Sequence, residues 1–260
     1  MNLPSLVDML EAGAHFGHQV SRWHPKMKPY IYMERNGVHI INLEKTLEQL
    51  KEVLAVVEKM AAEGKQILFV STKAQAREIV KKAAIEVGMP YLVDRWLGGM
   101  LTNFSEIRKL IRKYNDLKEK QAQGAFELYT KKEQLEIARQ VEKMSSYLEG
   151  LSTLERMPDA LFLPAVQKEK TTLAEARRVG VPIIGICDSN ANPDKVEYVI
   201  PANDDAVKSI TLLVNLVAGA VKRGKEEWEK KQQQSGKSSK VEEKKIAEPV
   251  PSEAAVASDQ

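Results

Sequence analysis

Short apolar runs rich in β-branched residues alternate along the chain with longer stretches in which apolar positions recur every three or four residues. Six short runs read as strands: Val38 to Ile41, Ile67 to Val70, Tyr91 to Val93, Ala160 to Leu163, Ile183 to Cys187 and Tyr198 to Ile200. The longer stretches read as helices. Leu43, Leu47, Leu50, Leu54, Val57 and Ala61 make one apolar face that ends at Gly64, and the helix from Lys73 to about Val87 is closed by Gly88 and Pro90. Leu173 to Val179 stops at Gly180 and Pro182, and a last helix starting near Asp204 carries Val207, Ile210, Leu213, Val214 and Val217 on one side. Helices that cross from strand to strand predict an α/β fold, a mostly parallel sheet with helices on both faces.

The alternation stops between residues 105 and 151, where no strand pattern occurs and charge rises. Ile107, Leu110, Tyr114, Leu117 and Gln121 step by three and four, and Ile137, Val141, Met144, Leu148 and Leu151 repeat the pattern beyond GAFELYT. Thr130 and Glu133 have the spacing of a capping box. Charged residues such as KEK at 118–120 leave a narrow apolar seam, which predicts an inserted antiparallel coiled-coil hairpin rather than two core helices. The chain divides accordingly into a first part of the α/β core at 1–104, with an N-terminal basic loop, the insertion at 105–151, a second part of the core at 152–224 and a charged tail at 225–260. The tail is poor in large apolar residues and rich in Lys, Glu, Gln and Ser, which predicts disorder beyond a few helical turns around Trp228.

Composition works mainly by exclusion. With 43% hydrophobic and 29% charged residues over 260 positions, the chain has the makeup of a soluble globular protein. No apolar run approaches the roughly 20 residues of a membrane span. No export signal opens the sequence, and the single cysteine, Cys187, lies in VPIIGIC as an inert core thiol, so a cytoplasmic address is expected. Neither GxxxxGK[ST] nor GxGxxG occurs, and STK at 71–73 lacks the glycines of a phosphate loop and reads as a helix cap with an adjacent lysine.

Candidate chemistry is thin. HFGH sets His15 and His18 three apart, but Gly17 breaks helix and Phe16 looks like core, so a pair of turn histidines is expected. A zinc ion would need Asp188 or Asp204 from far along the chain, which leaves His18, Asp188 and Asp204 as weak metal candidates and no metal as the expectation. Asp188 follows a strand, where α/β proteins place functional groups. Yet Asp188, Ser189, Asn190, Asn192 and Pro193 also make a turn, and Asn203 or Asp204 suits a helix cap. No nucleophile has a plausible base, so no catalytic residue is assigned; the enzyme alternative is a nucleotide- or metal-dependent site near Ser71, Asp188 and His18.

Charge distribution says more than its total. The net charge is only +3, but RWHPKMKPYIYMERNG, Arg22 to Gly37, holds Arg22, Lys26, Lys28 and Arg35 against Glu34 alone. Pro25 and Pro29 would hold this loop extended, with Lys26 and Lys28 toward phosphates and Arg35 able to make a forked contact. Trp23, His24 and Tyr30 offer faces on which bases stack. RWLGGMLTNF at 95–104 sets Arg95 beside Trp96, lets backbone approach closely at Gly98 and Gly99, and spaces Asn103 with Glu106 to cap the next helix. In both stretches the aromatics could instead pin the segment to the core.

HFGH, RWHPKMKPYIYMERNGVHIINLEKT, STKAQA, RWLGGMLTNF and ICDSNANPDKVEYVIPANDDA resemble, in order and spacing, the bacterial-type ribosomal protein S2 family of the small subunit, from about Leu6 to Arg223. The resemblance implies a Rossmann-like (flavodoxin-like) core with the coiled-coil hairpin inserted after the tryptophan loop, and a non-catalytic role in translation. It further implies a place between head and body of the small subunit, contact with small-subunit ribosomal RNA and neighbouring proteins, and help in docking the messenger-binding protein S1. RNA contact carries over onto Arg22, Lys26, Lys28, Arg35, Arg95 and Asn103, with Trp23, His24, Tyr30 and Trp96 beside them. The hairpin around Lys131 and Lys132 is the candidate for protein docking. No cofactor, no membrane and no homo-oligomer are expected, and the expected place is the small ribosomal subunit in the cytoplasm, an organellar ribosome being the alternative.

Overall fold

The computed structural model describes residues 3–126 and 128–246, from 233 onward as backbone alone. A short helix α1 (Leu6–Glu11), capped by reciprocal bonds between Ser5 and Asp8, leads into β1 (Phe16–Gln19). A 3-10 turn at Pro25–Tyr30 precedes β2 (Ile31–Arg35) and β3 (Val38–Ile41). These three strands form an antiparallel sheet with β3 in the centre. The strand predicted at Val38–Ile41 therefore exists but does not belong to the parallel sheet. The reason is Asn36-Gly37: both residues have positive φ, 53° and 75°, the backbone of a two-residue hairpin that sends β3 back along β2. Nor is the basic stretch an extended loop throughout. Pro25 opens the 3-10 turn, Met27 within it is fully buried, and only Ile31–Arg35 is extended.

The chain continues through α2 (Leu43–Ala62), β4 (Ile67–Val70), α3 (Ala74–Val87), β5 (Tyr91–Leu92), α4 (Phe104–Ala122), α5 (Lys131–Leu148), β6 (Ala160–Leu163), α6 (Lys170–Val179), β7 (Ile183–Cys187), β8 (Tyr198–Pro201) and α7 (Val207–Ile246). The last five strands make a parallel sheet in the order β5-β4-β6-β7-β8. Counted within that sheet the order is 2-1-3-4-5, the flavodoxin-like winding, whose direction reverses between β4 and β6. Leu50, Leu54 and Val57 of α2, Val80 of α3 and Leu213 and Val217 of α7 pack with Ile67, Phe69, Phe162 and Ile184 on one face. Leu173 and Ala176 of α6 and the bases of α4 and α5 pack with Leu68, Val70, Leu161, Leu163 and Ile183 on the other. Burial on both faces is why these strands read as unbroken apolar runs. Each fully buried Leu, Val or Phe contributes about 1.5–3 kcal/mol.

The bases of α4 and α5 are rooted in that second face. Ile107, Ile111 and Tyr114 of α4 and Val141, Met144 and Leu148 of α5 are buried in the same cluster as the sheet, whereas 118–122, Leu128 and Leu135 are exposed. The Thr130–Glu133 capping box forms as predicted. Asn103 stands at the N-cap of α4 but makes no side-chain cap bond there, its amide oxygen accepting instead from the Ser105 hydroxyl at 3.3 Å.

At the other end, the charged stretch from 225, expected to be helical for a few turns around Trp228 and disordered beyond, continues α7 as far as Ile246. Its start is drawn tight against α2: a Cβ on Gly224 would lie 2.2 Å from the Glu58 carbonyl oxygen, Arg223 Nε donates to Glu58 at 2.9 Å, and the Trp228 indole lies over Gly64. Residues 247–260 fall outside the described residues. Among those described, no helix is long and apolar enough to cross a membrane.

Candidate nucleic-acid interface

Beyond the carboxyl end of β7 the chain turns at Asp188, whose carbonyl accepts from Ala191 N–H at 2.9 Å. The Ser189 hydroxyl there takes the backbone N–H of His18 at 2.7 Å and fixes β1 over the sheet end. His18 then lies between two acids, Nδ1 3.1 Å from Asp188 and Nε2 3.2 Å from Asp205. Lys73, at the start of α3, reaches Asp204 and Asp205, each at 2.7 Å. The hydrogen bond that His18 donates to Asp188 outweighs burial and holds the His18 pKa up, favouring imidazolium. Burial, helped by Asp188, pushes Asp204 up to about 6 against the pull of Lys73. Burial would lower Lys73, but Asp204 and Asp205 raise it overall.

The ligand atoms of His18, Asp188, Asp204 and Asp205 lie within 4.8 Å of one another, a donor set that fits a divalent ion, and they form the one such group among the described residues. The Lys73 ammonium already brings positive charge to the same carboxylates. Sequence reading named three of these four residues and missed the fourth, Asp205, and the Lys73 ammonium that pairs with it. His15 stays apart, its ring 4.0 Å from Phe16, and Phe16 is 51% exposed rather than core. Ahead of α7 it is Asn203, not Asp204, whose side chain accepts from the following N–H groups, those of Asp205 and Ala206.

The reversal point between β4 and β6, where such folds hold cofactor phosphates, is filled by a carboxylate. Glu169 is buried there and accepts from Thr72 N–H at 2.6 Å and from its hydroxyl at 2.7 Å. An anion would meet a buried negative charge on the N–H it needs. STK does not act as a side-chain cap either: Lys73 occupies the N-cap position of α3 without a cap bond, and Ser71 is buried. Cys187 is fully buried, and burial pushes its thiol pKa far up.

The basic stretch is arranged differently. Arg22, Lys28, Arg35 and Arg95 are exposed and none has an ion-pair partner among the described residues, while Lys26 is paired with Asp194. His24 is fixed by donating its N–H to the Ser189 carbonyl at 2.8 Å and accepting Lys26 N–H at Nδ1, 3.3 Å. Trp23 is half-buried with its ring 4.9 Å from buried His39, and Tyr30 packs against the core cluster on the second face of the parallel sheet, burial raising its pKa.

Trp96 is also an anchor. Its indole N–H donates to Glu175 at 2.9 Å, and the same carboxylate accepts from Gly99 N–H at 2.9 Å, Leu101 N–H at 3.1 Å and Thr102 N–H at 3.4 Å. Burial alone would raise the Glu175 pKa; these donors reverse the sign and hold it low. Met27, Leu97, Met100 and Leu101 enter one cluster, so the basic stretch and the tryptophan loop, with exposed Arg95 and Asn103, root on one side of the sheet.

The aromatic most open to a base is one that sequence reading passed over: Tyr32 is 70% exposed on β2, beside Met33 and Arg35. The Asn-Gly hairpin was the available signal, because it makes residues 31–35 a strand that turns Ile31 inward and Tyr32 outward.

A family model described as ribosomal protein S2 matches residues 9–224. The chain belongs to the ribosomal protein S2 family. Relatives named small ribosomal subunit protein uS2 are 50% identical in Chlorobium luteolum, over 83% of this chain and 85% of the relative, and 50% identical in Chlorobaculum tepidum, over 83% and 87%. The uS2 protein of Coprothermobacter proteolyticus is 46% identical over 87% of this chain and 84% of its own length. S2 is a structural ribosomal protein and not an enzyme, in keeping with the carboxylate at the cofactor crevice. The matched span takes in the acid cluster, the basic stretch and the tryptophan loop, and stops at Gly224 within α7.

Proposed function

We propose that this chain is a structural constituent of the small ribosomal subunit that binds ribosomal RNA between head and body through Arg22, Lys28, Arg35, Arg95 and Asn103. The observation that carries this reading is the set of exposed cations with no ion-pair partner among the described residues, in a molecule that elsewhere pairs its buried charges internally. Tyr32 supplies the stacking face, and Trp23, His24, Tyr30 and Trp96 hold the cations in position. Lys26 acts with Asp194 as a pair.

Neighbouring small-subunit proteins are the protein partners, S1 among them. The α4–α5 coiled-coil hairpin is the docking arm, with exposed Lys131 and Lys132 beside Leu128 and Leu135. No cofactor is needed for this role. A structural divalent ion such as zinc, where loaded, would go to His18, Asp188, Asp204 and Asp205 in competition with Lys73.

Sedimentation of a tagged chain through salt-washed gradients tests the reading. The chain is expected in the small-subunit peak of cytoplasmic extract, and its absence from that peak overturns the proposal. Lys131→Glu with Lys132→Glu should leave the chain in the peak and reduce the S1 that travels with it.

A further inference from the structure

A groove of about 700 Å³ runs between α6 and the loop after β7, with His24 on its rim and Leu173 in its floor. Four of its lining residues are cations, Lys170, Arg177, Arg178 and Lys195, and none is a carboxylate. None of the four has an ion pair among the described residues. The acids nearest in sequence are occupied elsewhere, Glu169 by Thr72, Glu175 by the tryptophan loop and Asp194 by Lys26. Arg177 and Arg178 stand seven and eight positions beyond Lys170, on one face of the helix, a spread of about 12 Å at 1.5 Å per residue.

Helix electrostatics do not account for this arrangement. Cations at Arg177 and Arg178 suit the carboxyl end of α6, but Lys170 sits at its amino end, where a cation is disfavoured, and Lys195 belongs to another element. A single phosphate would be met by convergent donors in a closed pocket. Cations strung along an open groove with an apolar floor fit a chain of phosphates whose riboses and bases lie against Leu173. His24 joins the groove to the basic stretch, since its backbone is tied to Ser189 after β7.

We infer that this groove is a second phosphate-binding track for ribosomal RNA, continuous with the basic stretch through His24. The inference rests on the RNA-binding role proposed above. A phosphodiester chain that meets Arg22 and Lys28 would pass His24 and lie along α6, with each of the four cations neutralising about one phosphate.

The test uses the full chain and full-length small-subunit ribosomal RNA in filter binding across a salt series. Lys170→Ala/Arg177→Ala/Arg178→Ala/Lys195→Ala is expected to lower the slope of log K against log salt by about 3, at roughly 0.7 per contact for single strands. Affinity at 0.1–0.2 M salt should fall on the order of 10- to 100-fold, while Arg177→Lys/Arg178→Lys keeps the slope. All four side chains are exposed, and an unchanged urea midpoint confirms that the fold is intact. If the quadruple variant keeps the full slope while Arg22→Ala/Lys28→Ala loses it, the groove is not an RNA track and the proposed function stands. If the native chain shows no salt-dependent binding, the proposed function fails as well. A quadruple variant that binds RNA normally but leaves the small-subunit peak assigns the groove to an acidic protein surface and overturns the inference.

Discussion

Two charge clusters flank the loop after β7, and they differ in how their charges are balanced. On one side His18 and Lys73 stand among Asp188, Asp204 and Asp205, every group within 3.2 Å of an opposite partner. On the other, Lys170, Arg177, Arg178 and Lys195 face a groove with no acid in its lining. The closed cluster lies at the carboxyl end of a parallel sheet, the place where enzymes of this winding bind cofactors, whereas the open one runs along α6 away from that end. The closed cluster joins β1, α3 and the start of α7 to the sheet and so helps fold the protein. The open one leaves its electrostatic energy for a partner. A patch of charge thus reveals its purpose less by its residue types than by whether the chain satisfies it from within.

Opening the closed cluster should have the largest effect. Lys73→Met removes the cation from two acids, one of them, Asp204, only 5% exposed at its side chain, and should cost about 3 kcal/mol, the range for a buried charge left without its partner. Urea unfolding at pH 7 measures the loss. Adding Asp204→Asn should return part of it, because burial then no longer acts against an uncompensated carboxylate. If Lys73→Met unfolds at the native midpoint, the cluster is not a clamp.

The tryptophan loop is an intermediate case, an exposed-looking motif held by one acid. Glu175→Gln keeps the shape but weakens four or more charge-assisted bonds, at a cost of about 2 kcal/mol. The Glu175 pKa is depressed in the folded chain, so its stabilisation is complete above the unfolded carboxyl value near 4.3 and is lost as pH falls through the folded value. Native and variant unfolding midpoints should accordingly draw together as pH falls below the ordinary carboxyl range. A gap that does not change with pH would assign the loss to packing.

The same contrast marks which features were legible in the sequence. The strands Ile67–Val70, Ala160–Leu163 and Ile183–Cys187 match their predicted bounds, since burial on both faces leaves an unambiguous apolar run. The antiparallel sheet was only partly legible. Its strands have exposed positions, Met33 and Tyr32 among them, and the one local signal was the Asn36-Gly37 turn. The roles of the aromatics could not be read, because Trp96 and Tyr32 differ through Glu175, 79 residues from Trp96, and through which face of β2 a side chain takes. The helical course of α7 past residue 224 went against a composition typical of disorder, and what holds its start is tertiary, Trp228 on Gly64.

Tyr32 and Tyr30 separate stacking from anchoring. Tyr32→Ala should leave the urea midpoint unchanged and weaken binding to small-subunit ribosomal RNA by about 5- to 30-fold, the range for loss of one stacked base at 1–2 kcal/mol. Tyr30→Ala should reverse the pattern, lowering stability first because its ring packs on the core cluster. Equal losses of affinity with no change in stability would mean that both rings face the RNA.

The smallest effect should come from two lysines that look equivalent in sequence. Lys28 has no ion-pair partner among the described residues, so Lys28→Ala should remove one phosphate contact and flatten the salt slope by about 0.7 to 0.9, with a change in affinity of a few fold. Lys26 is bound to Asp194, so Lys26→Ala removes a cation and uncovers an anion in one step. The slope should then change little while affinity falls through repulsion from Asp194. Lys26→Ala/Asp194→Asn should restore affinity to near the native level, since the pair contributes almost no net charge. If the double variant instead loses slope as Lys28→Ala does, Lys26 leaves Asp194 for phosphate on binding, and the boundary between internally balanced and partner-facing charge lies one residue pair closer to the fold.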